Sequence, residues 1–320
     1  MRVLSGLALV LCGATTGCVS TPEFDRVSIV DRPRVLAIVA EPPGVVPGQG
    51  SELSLLMAGF DGLDHRISWS VCAAFFTDIR GSQYGAEPSD QGCSSDMAVE
   101  ISTGPRATLP GAFTEALFDN LDLAAAALGS ILPRDTVELV RREVGLPLLV
   151  EARIEYRDPS GSEQTYRAVK RVLVNRTRRF ENPPPPRFAI DGTSLVPTAT
   201  DMPGLFACAP EDGEPLEFSP AREVELAPII DGGADAEESW LEDYVTLDAR
   251  GDLQPRTERA FYSWFGTGGE FAQEVTRSPL RNELWTLPGE PGRHDLWLVV
   301  RDGHGGTSAC HTSIRVQGGG

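Results

Sequence analysis

The chain is poor in lysine, histidine and methionine. Lys170 is the only lysine among 28 basic residues, and 320 positions hold four histidines and four methionines. Against 46 acidic residues this leaves a formal net charge of -18. Such a surface repels phosphate backbones and anionic headgroups, which excludes nucleic acid as an expected partner. Arginines scattered singly carry no functional signature, and their excess over lysine reads as codon bias. Catalytic patterns are missing too: there is no His-Glu-x-x-His, no Gly-x-Ser-x-Gly elbow and no phosphate loop ending in Gly-Lys-Ser/Thr. No Cys-x-x-Cys pair offers a zinc site. The expectation is a protein without enzymatic activity and without a cofactor. What is present is enough apolar material, 41% hydrophobic residues with 7% aromatics, to fill two modest cores.

Residues 1–17 combine a charged start at Arg2, the short apolar run Leu7-Ala8-Leu9-Val10-Leu11, and small residues up to Gly17. The run is too short to span a bilayer, and the arrangement is that of a secretory signal. At its end Gly17-Cys18 resembles the lipobox of bacterial lipoproteins, with Thr15 where leucine is commoner. Cys12 is the lesser candidate, because bulky Leu11 precedes it. The resemblance implies diacylglycerol on Cys18 and a membrane partner reached through that lipid. Val19, in place of aspartate, resembles the pattern of lipoproteins sent to the outer membrane of Gram-negative bacteria.

Beyond Cys12 and Cys18, four cysteines remain, and an exported chain meets an oxidising compartment. Three pairings are open to them. A domain boundary between the two pairs favours Cys72 with Cys93 and Cys208 with Cys310.

That boundary is the run Arg176 to Arg179 followed by Pro183-Pro184-Pro185-Pro186, read as a stiff spacer. The expected layout is a signal at 1–17, a tether at 18–32, a strand-rich domain at 33–176, a linker at 177–187, a second strand-rich domain at 188–317 and a tail at 318–320. Strand signals recur on both sides. Val35 to Ala40 reads as a strand before turn formers, Leu53, Leu55 and Met57 alternate, and Ile67, Trp69 and Val71 share a face. Leu148–Tyr156 and Tyr166–Val174 flank the loop Asp158-Pro159-Ser160-Gly161. Later, Leu296, Leu298 and Val300 face one way, and Asp302 to Gly306 turns the chain into a last strand at Ser308–Val316. One stretch breaks the pattern. Phe113, Leu117, Leu121 and Leu128 recur at helical spacing, and Asp135-x-x-Glu138 starts a second amphipathic turn set, so a helical insert is expected over about 112–145.

The opening strands with Ser68-Trp69-Ser70 before Cys72, and the block Gly292 to Gly303, resemble immunoglobulin-like or PKD-like domains. The resemblance implies a mainly β chain of two tandem antiparallel sandwiches, with Trp69 packed between sheets.

Weaker signals remain. Gly266-Thr267-Gly268-Gly269 has no helix behind it and reads as a loop. Asp302, His304 and His311 are enough ligands for a metal, yet turn chemistry alone explains the first. Asp231, Asp235, Glu237 and Glu238, with Glu242 and Asp243, form an acidic stretch of the kind calcium selects, without a calcium-loop spacing. Trp240 and Tyr244 within it are candidate ligand contacts for a sugar, or anchors for the loop. The functional expectation is a binding or scaffold module of the cell envelope, its partner an envelope protein or glycan. The alternative is a carbohydrate-binding accessory protein or a glycan-active hydrolase.

Overall fold

From Val35 to Ala40 there is no polar residue, so this strand has no face to offer water. In the computed structural model, which describes residues 27–73, 93, 98–120, 134–230, 239–247 and 252–318, the run lies within Arg34–Glu41 (β1). Gly44–Val45 (β2), Ser51–Ala58 (β3), His65–Ala73 (β4), Val99–Thr103 (β5) and Arg106–Leu109 (β6) follow. Two helices come next, Gly111–Asp119 (α1) and Arg134–Leu139 (α2), the second passing into a π-helical turn at Val140–Val144. Leu146–Arg157 (β7) and Glu163–Val174 (β8) then form a hairpin whose loop is tied by Asp158, which accepts the amides of Ser160 and Ser162 at 2.9 Å.

These strands make two sheets, β1-β3-β6 and β2-β8-β7-β4-β5. Ile38, Leu53, Leu55 and Leu109 from one share a core with Ile67, Trp69, Val71, Leu148 and Val150 from the other. Trp69 is fully buried there and donates its indole N–H to the Gly104 carbonyl at 2.8 Å. The helical segments serve the same core: Phe118 of α1 and Val140 and Val144 of the π turn all belong to it. Gly145 closes that turn at φ 93, a conformation glycine adopts without strain, with its amide on the Val140 carbonyl at 2.7 Å. Residues 121–133 of the expected insert lie outside the described residues.

The rest of the chain is β-structure. Its strands are Arg187–Ile190 (β9), Thr193–Ala199 (β10), Leu205–Pro210 (β11), Leu216–Phe218 (β12), Glu223–Ile229 (β13), Asp243–Leu247 (β14) and Leu253–Thr257 (β15). Phe261–Gly266 (β16), Glu270–Phe271 (β17), Val275–Arg277 (β18), Glu283–Thr286 (β19), Gly292–Arg301 (β20) and Thr307–Val316 (β21) complete it. One 11-stranded sheet runs β17-β19-β13-β9-β10-β11-β21-β20-β16-β18, with β12 also on β21. Phe188, Leu226, Trp264, Trp285, Leu296, Leu298 and Ile314 fill a second core against it. The β14-β15 ribbon stands apart as its own two-stranded sheet.

A third apolar cluster joins the two halves. Leu36, Ala37, Val39 and Ala58 of the first meet Leu205, Phe265, Trp297, Val299 and Ala309 of the second. The β1-β3 pair is therefore covered on both faces: Ile38 and Ala40 enter the first core while Val39 turns to the joint. A register shift between Val35 and Ala37 interrupts the alternation, and the neighbours Leu36 and Ala37 both lie in the joint.

Two expected spacers are built into this body. Of the expected tether, Ser28 and Val30 are buried, and Gly266 exchanges backbone hydrogen bonds with both, at 2.9 and 2.8 Å. The chain thus enters the fold before Arg34, because apolar Ile29 and Val30 have a sheet to join. The proline-rich stretch is likewise packed. Pro183 and Pro186 are buried, Asn182 donates to the Ala40 carbonyl at 2.7 Å, and Ser308 donates to that of Pro184 at 3.0 Å.

Candidate functional site

The densest group of buried ionisable side chains lies where the halves meet. Alternation along β8 puts Lys170 in one file with Ala168, Val172 and Val174, an inward position for a cation. Its ammonium donates to Thr307 Oγ1 at 2.7 Å, and the Thr307 amide donates to Asn182 Oδ1 at 2.8 Å. Burial first, and the Arg301 charge second, pull the Lys170 amine down to about 7 against the pull of Asp302.

Asp302 sits in the turn between β20 and β21. One carboxylate oxygen accepts the amides of His304, Gly305 and Gly306 at 2.7, 2.9 and 2.9 Å, which folds the turn and fixes a buried negative charge. His304 follows, stacked on Tyr244 at 3.8 Å and met edge-on by Phe180 at 4.6 Å. Its Nδ1 lies 3.4 Å from Glu258 Oε1. Glu258 has the Glu242 amide on its other oxygen at 2.9 Å, and its own amide donates to the Glu242 carbonyl at 3.0 Å. Burial and then the Asp302 charge push Glu258 up to about 8. Burial is the main push that raises Glu242, beside Glu258, to about 6. His304 goes the other way, to about 4, through burial and then Arg171 and Arg178, opposed by Asp302. At neutral pH the pair is thus a protonated carboxyl beside a neutral imidazole. The arrangement can take up or release a proton where four pieces of chain meet.

The sequence-derived candidates fall in several places. Cys18, Asp231, Asp235, Glu237 and Glu238 lie outside the described residues. Both disulfides form as paired from the sequence, Cys72 with Cys93 and Cys208 with Cys310, each with Cα atoms 5.8 Å apart. Trp240 is half-buried against the second core. Tyr244 is buried, its ring on His304, so it anchors the ribbon and offers no platform to a sugar. Asp302, His304 and His311 do not converge. Asp302 is occupied with turn amides and His304 with two rings, whereas His311 stacks on Trp297 at 5.0 Å and has its Nε2 3.0 Å from Asp295 Oδ1.

The same Asp295 oxygen accepts the Ser313 hydroxyl at 2.6 Å. Here the carboxylate takes both protons. A nucleophile relay needs the imidazole in the middle, so this trio cannot activate the serine. Hydrogen bonding from His311 holds the Asp295 carboxyl well below the usual range. Gly268 and Gly269 line a hollow of about 420 Å³ with Thr267, Glu270, Pro288 and His294. Among the described residues no group of three or more His, Cys, Asp or Glu is placed to hold a metal, and no helix is long and apolar enough to cross a membrane.

Sequence reasoning passed over Lys170 and Glu258, and took Glu242 only as part of an acidic stretch of the kind calcium selects. Lys170 left a signal, a lone lysine in an apolar file. Glu258 left none, because only the tertiary fold brings Asp302 and His304 to it.

No family model matches the chain, and no curated protein matches it. Solved structures do. The native conformation of E. coli alpha-2-macroglobulin is 8% identical at a TM-score of 0.26, over 90% of this chain and 16% of that one. The D0-D1 domain of intimin is 8% identical at a TM-score of 0.20, over 89% of this chain and 99% of that one. A Bacteroides ovatus protein, SGBP-B, in complex with a mixed-linkage heptasaccharide is 11% identical at 0.16, over 90% and 47%. This chain therefore spans a small part of the first of these, and likeness at such scores carries no argument about what it does.

Proposed function

We propose that this chain is a lipid-anchored protein of the bacterial outer membrane, facing periplasm or cell surface, and that it works as a non-enzymatic binding or scaffold module. It consists on this reading of two tandem immunoglobulin-like sandwiches, 33–176 with a helical insert and 188–317. The observation that carries the scaffold reading is the third apolar cluster, where Val39, Phe265, Trp297 and Val299 fuse the two cores. Halves joined by buried side chains hold their outer loops at fixed separation, which is what a scaffold needs and a flexibly hinged pair lacks. Two disulfides add to that rigidity.

The anchor is tested by incorporation of labelled palmitate, expected in the wild type and lost in Cys18→Ser. Incorporation that survives the substitution sinks the anchor. The binding role is tested by cross-linking in the native envelope, expected to trap an envelope protein on the folded chain. Binding on a glycan array, abolished by Trp240→Ala, would replace this reading with the carbohydrate one.

A further inference from the structure

We infer that Glu258 and His304 form a proton-operated latch, which holds the β14-β15 ribbon against the linker and the first sandwich while Glu258 is protonated and releases it on deprotonation. The ribbon cannot hold its place alone. Two-stranded hairpins are at best marginal in water, and this one joins no other sheet. β14 packs against the π turn at Val140–Val144, and the ribbon's hydrogen-bonded and ring anchors gather at one end. Tyr244 stacks on His304, Glu242 and Glu258 exchange backbone and carboxylate hydrogen bonds, and Arg178 of the linker donates to the Asp243 carbonyl. Tyr244 also shares a small apolar cluster with Leu173 of β8 and Phe180 of the linker. Tyr244 and Phe180 touch the His304 ring directly, and the Glu242 amide sits on the Glu258 carboxyl.

Charges face that carboxyl and its neighbours from the β20-β21 turn, the ribbon, the linker and β8, and the π turn packed on β14 carries Arg141, Arg142 and Glu143. Asp302 faces it from the β20-β21 turn and Glu242 from the ribbon, and Glu181 of the linker faces Glu242 in turn. Arg171 of β8 and Arg178 of the linker face His304, and Lys170 faces Asp302. Glu258 is buried, with 1% of its side chain exposed, so ionisation adds a third carboxylate to Asp302 and Glu242 without water to screen it.

Opening the ribbon hydrates Glu258 and returns it toward 4.5, from about 8 when closed. The open form then binds fewer protons, so opening rises with pH between those values and levels off above the higher one. His304, at about 4 when closed and 6.5 when free, works in the opposite sense mainly below 6.5. Glu242 completes its own change near 6. From about pH 6.5 to 8 Glu258 therefore dominates, and one proton per opening, tapering to half a proton at 8 where the closed carboxyl is half ionised, gives a rise of about tenfold across the interval once the remaining His304 change is taken off.

The test is hydrogen exchange of the ribbon amides in the full chain, corrected for intrinsic rates and referenced to β20. Wild type should show ribbon opening rising about tenfold from pH 6.5 to 8, and Glu258→Gln should be nearly flat. A wild type without that slope, or a variant that keeps it, overturns the latch. Carboxyl-carbon NMR of Glu258 in the wild type decides the matter if the variant fails to fold: titration above pH 7 supports the latch, and titration in the ordinary carboxylate range refutes it.

Discussion

Lys170 Nζ donates to Thr307 Oγ1 at 2.7 Å across 137 positions of sequence, so the head group of the only lysine in the chain joins the two halves. Its buried amine is pulled down to about 7 from 10.5. Between those values the unfolded chain holds a proton that the folded one has lost, and stability rises with pH. Glu258 contributes no slope above about 8. Urea unfolding from about pH 8 to 10 should therefore gain about 1.4 kcal/mol per unit in the wild type. Lys170→Met should abolish the gain. An identical slope in both proteins would mean that Lys170 is protonated and hydrated in the folded state.

Strand alternation carried the sequence reading a long way. The β4 file of Ile67, Trp69 and Val71, the β7-β8 hairpin and the last hairpin at Asp302 to Gly306 all follow from local pattern and turn chemistry. Both cysteine pairs were legible once the chain was divided at the prolines. What local pattern leaves open is which faces meet. Leu296, Leu298 and Val300 define one buried face of β20, yet Trp297 and Val299 between them are apolar as well. An unbroken run of this kind, like Val35 to Ala40, marks a strand covered on both sides. Read that way, the two runs predict each other as partners across the joint, and the structure places them in one cluster. The ionisable group at the joint was harder, because Lys170, Glu242, Glu258 and Asp302 are scattered over four segments with no shared spacing.

Gly204 provides a direct test of how tightly the halves are docked. It has φ 70, and a Cβ added there would run into Val39 Cγ1 of the first half. The Gly204 carbonyl also accepts the Ala309 amide at 3.0 Å, so its backbone has little room to shift. Left-handed backbone strain for a residue with a Cβ costs about 1 kcal/mol or more, and forcing an extra methyl group into a packed site costs about 1–3 kcal/mol. Gly204→Ala should lose about 2–4 kcal/mol on those grounds. Because the collision is at the joint, calorimetry should show one transition for the wild type, whose halves share a cluster, and two for the variant. A variant that melts as one transition at the wild-type temperature would show that Val39 and Gly204 are not held together.

The two disulfides should differ in both weight and accessibility. Cys72–Cys93 closes a separation of 21 residues and Cys208–Cys310 one of 102. On the loop-entropy model these contribute about 3 and about 5 kcal/mol, so replacing Cys208 and Cys310 by alanine should destabilise more than replacing the other pair. Location sharpens the difference. Cys208 and Cys310 are 4% and 1% exposed on neighbouring strands of the second core, and a reductant reaches them only when β11 and β21 part. Cys93 is half-buried, tied down by its amide on Glu151 Oε2 at 2.9 Å. Mild reduction followed by alkylation and mass spectrometry should therefore label Cys72 and Cys93 first. Labelling of Cys208 and Cys310 should appear only as the second core unfolds. If the Cys208–Cys310 pair is labelled first in folded protein, the second core opens more readily than its packing allows.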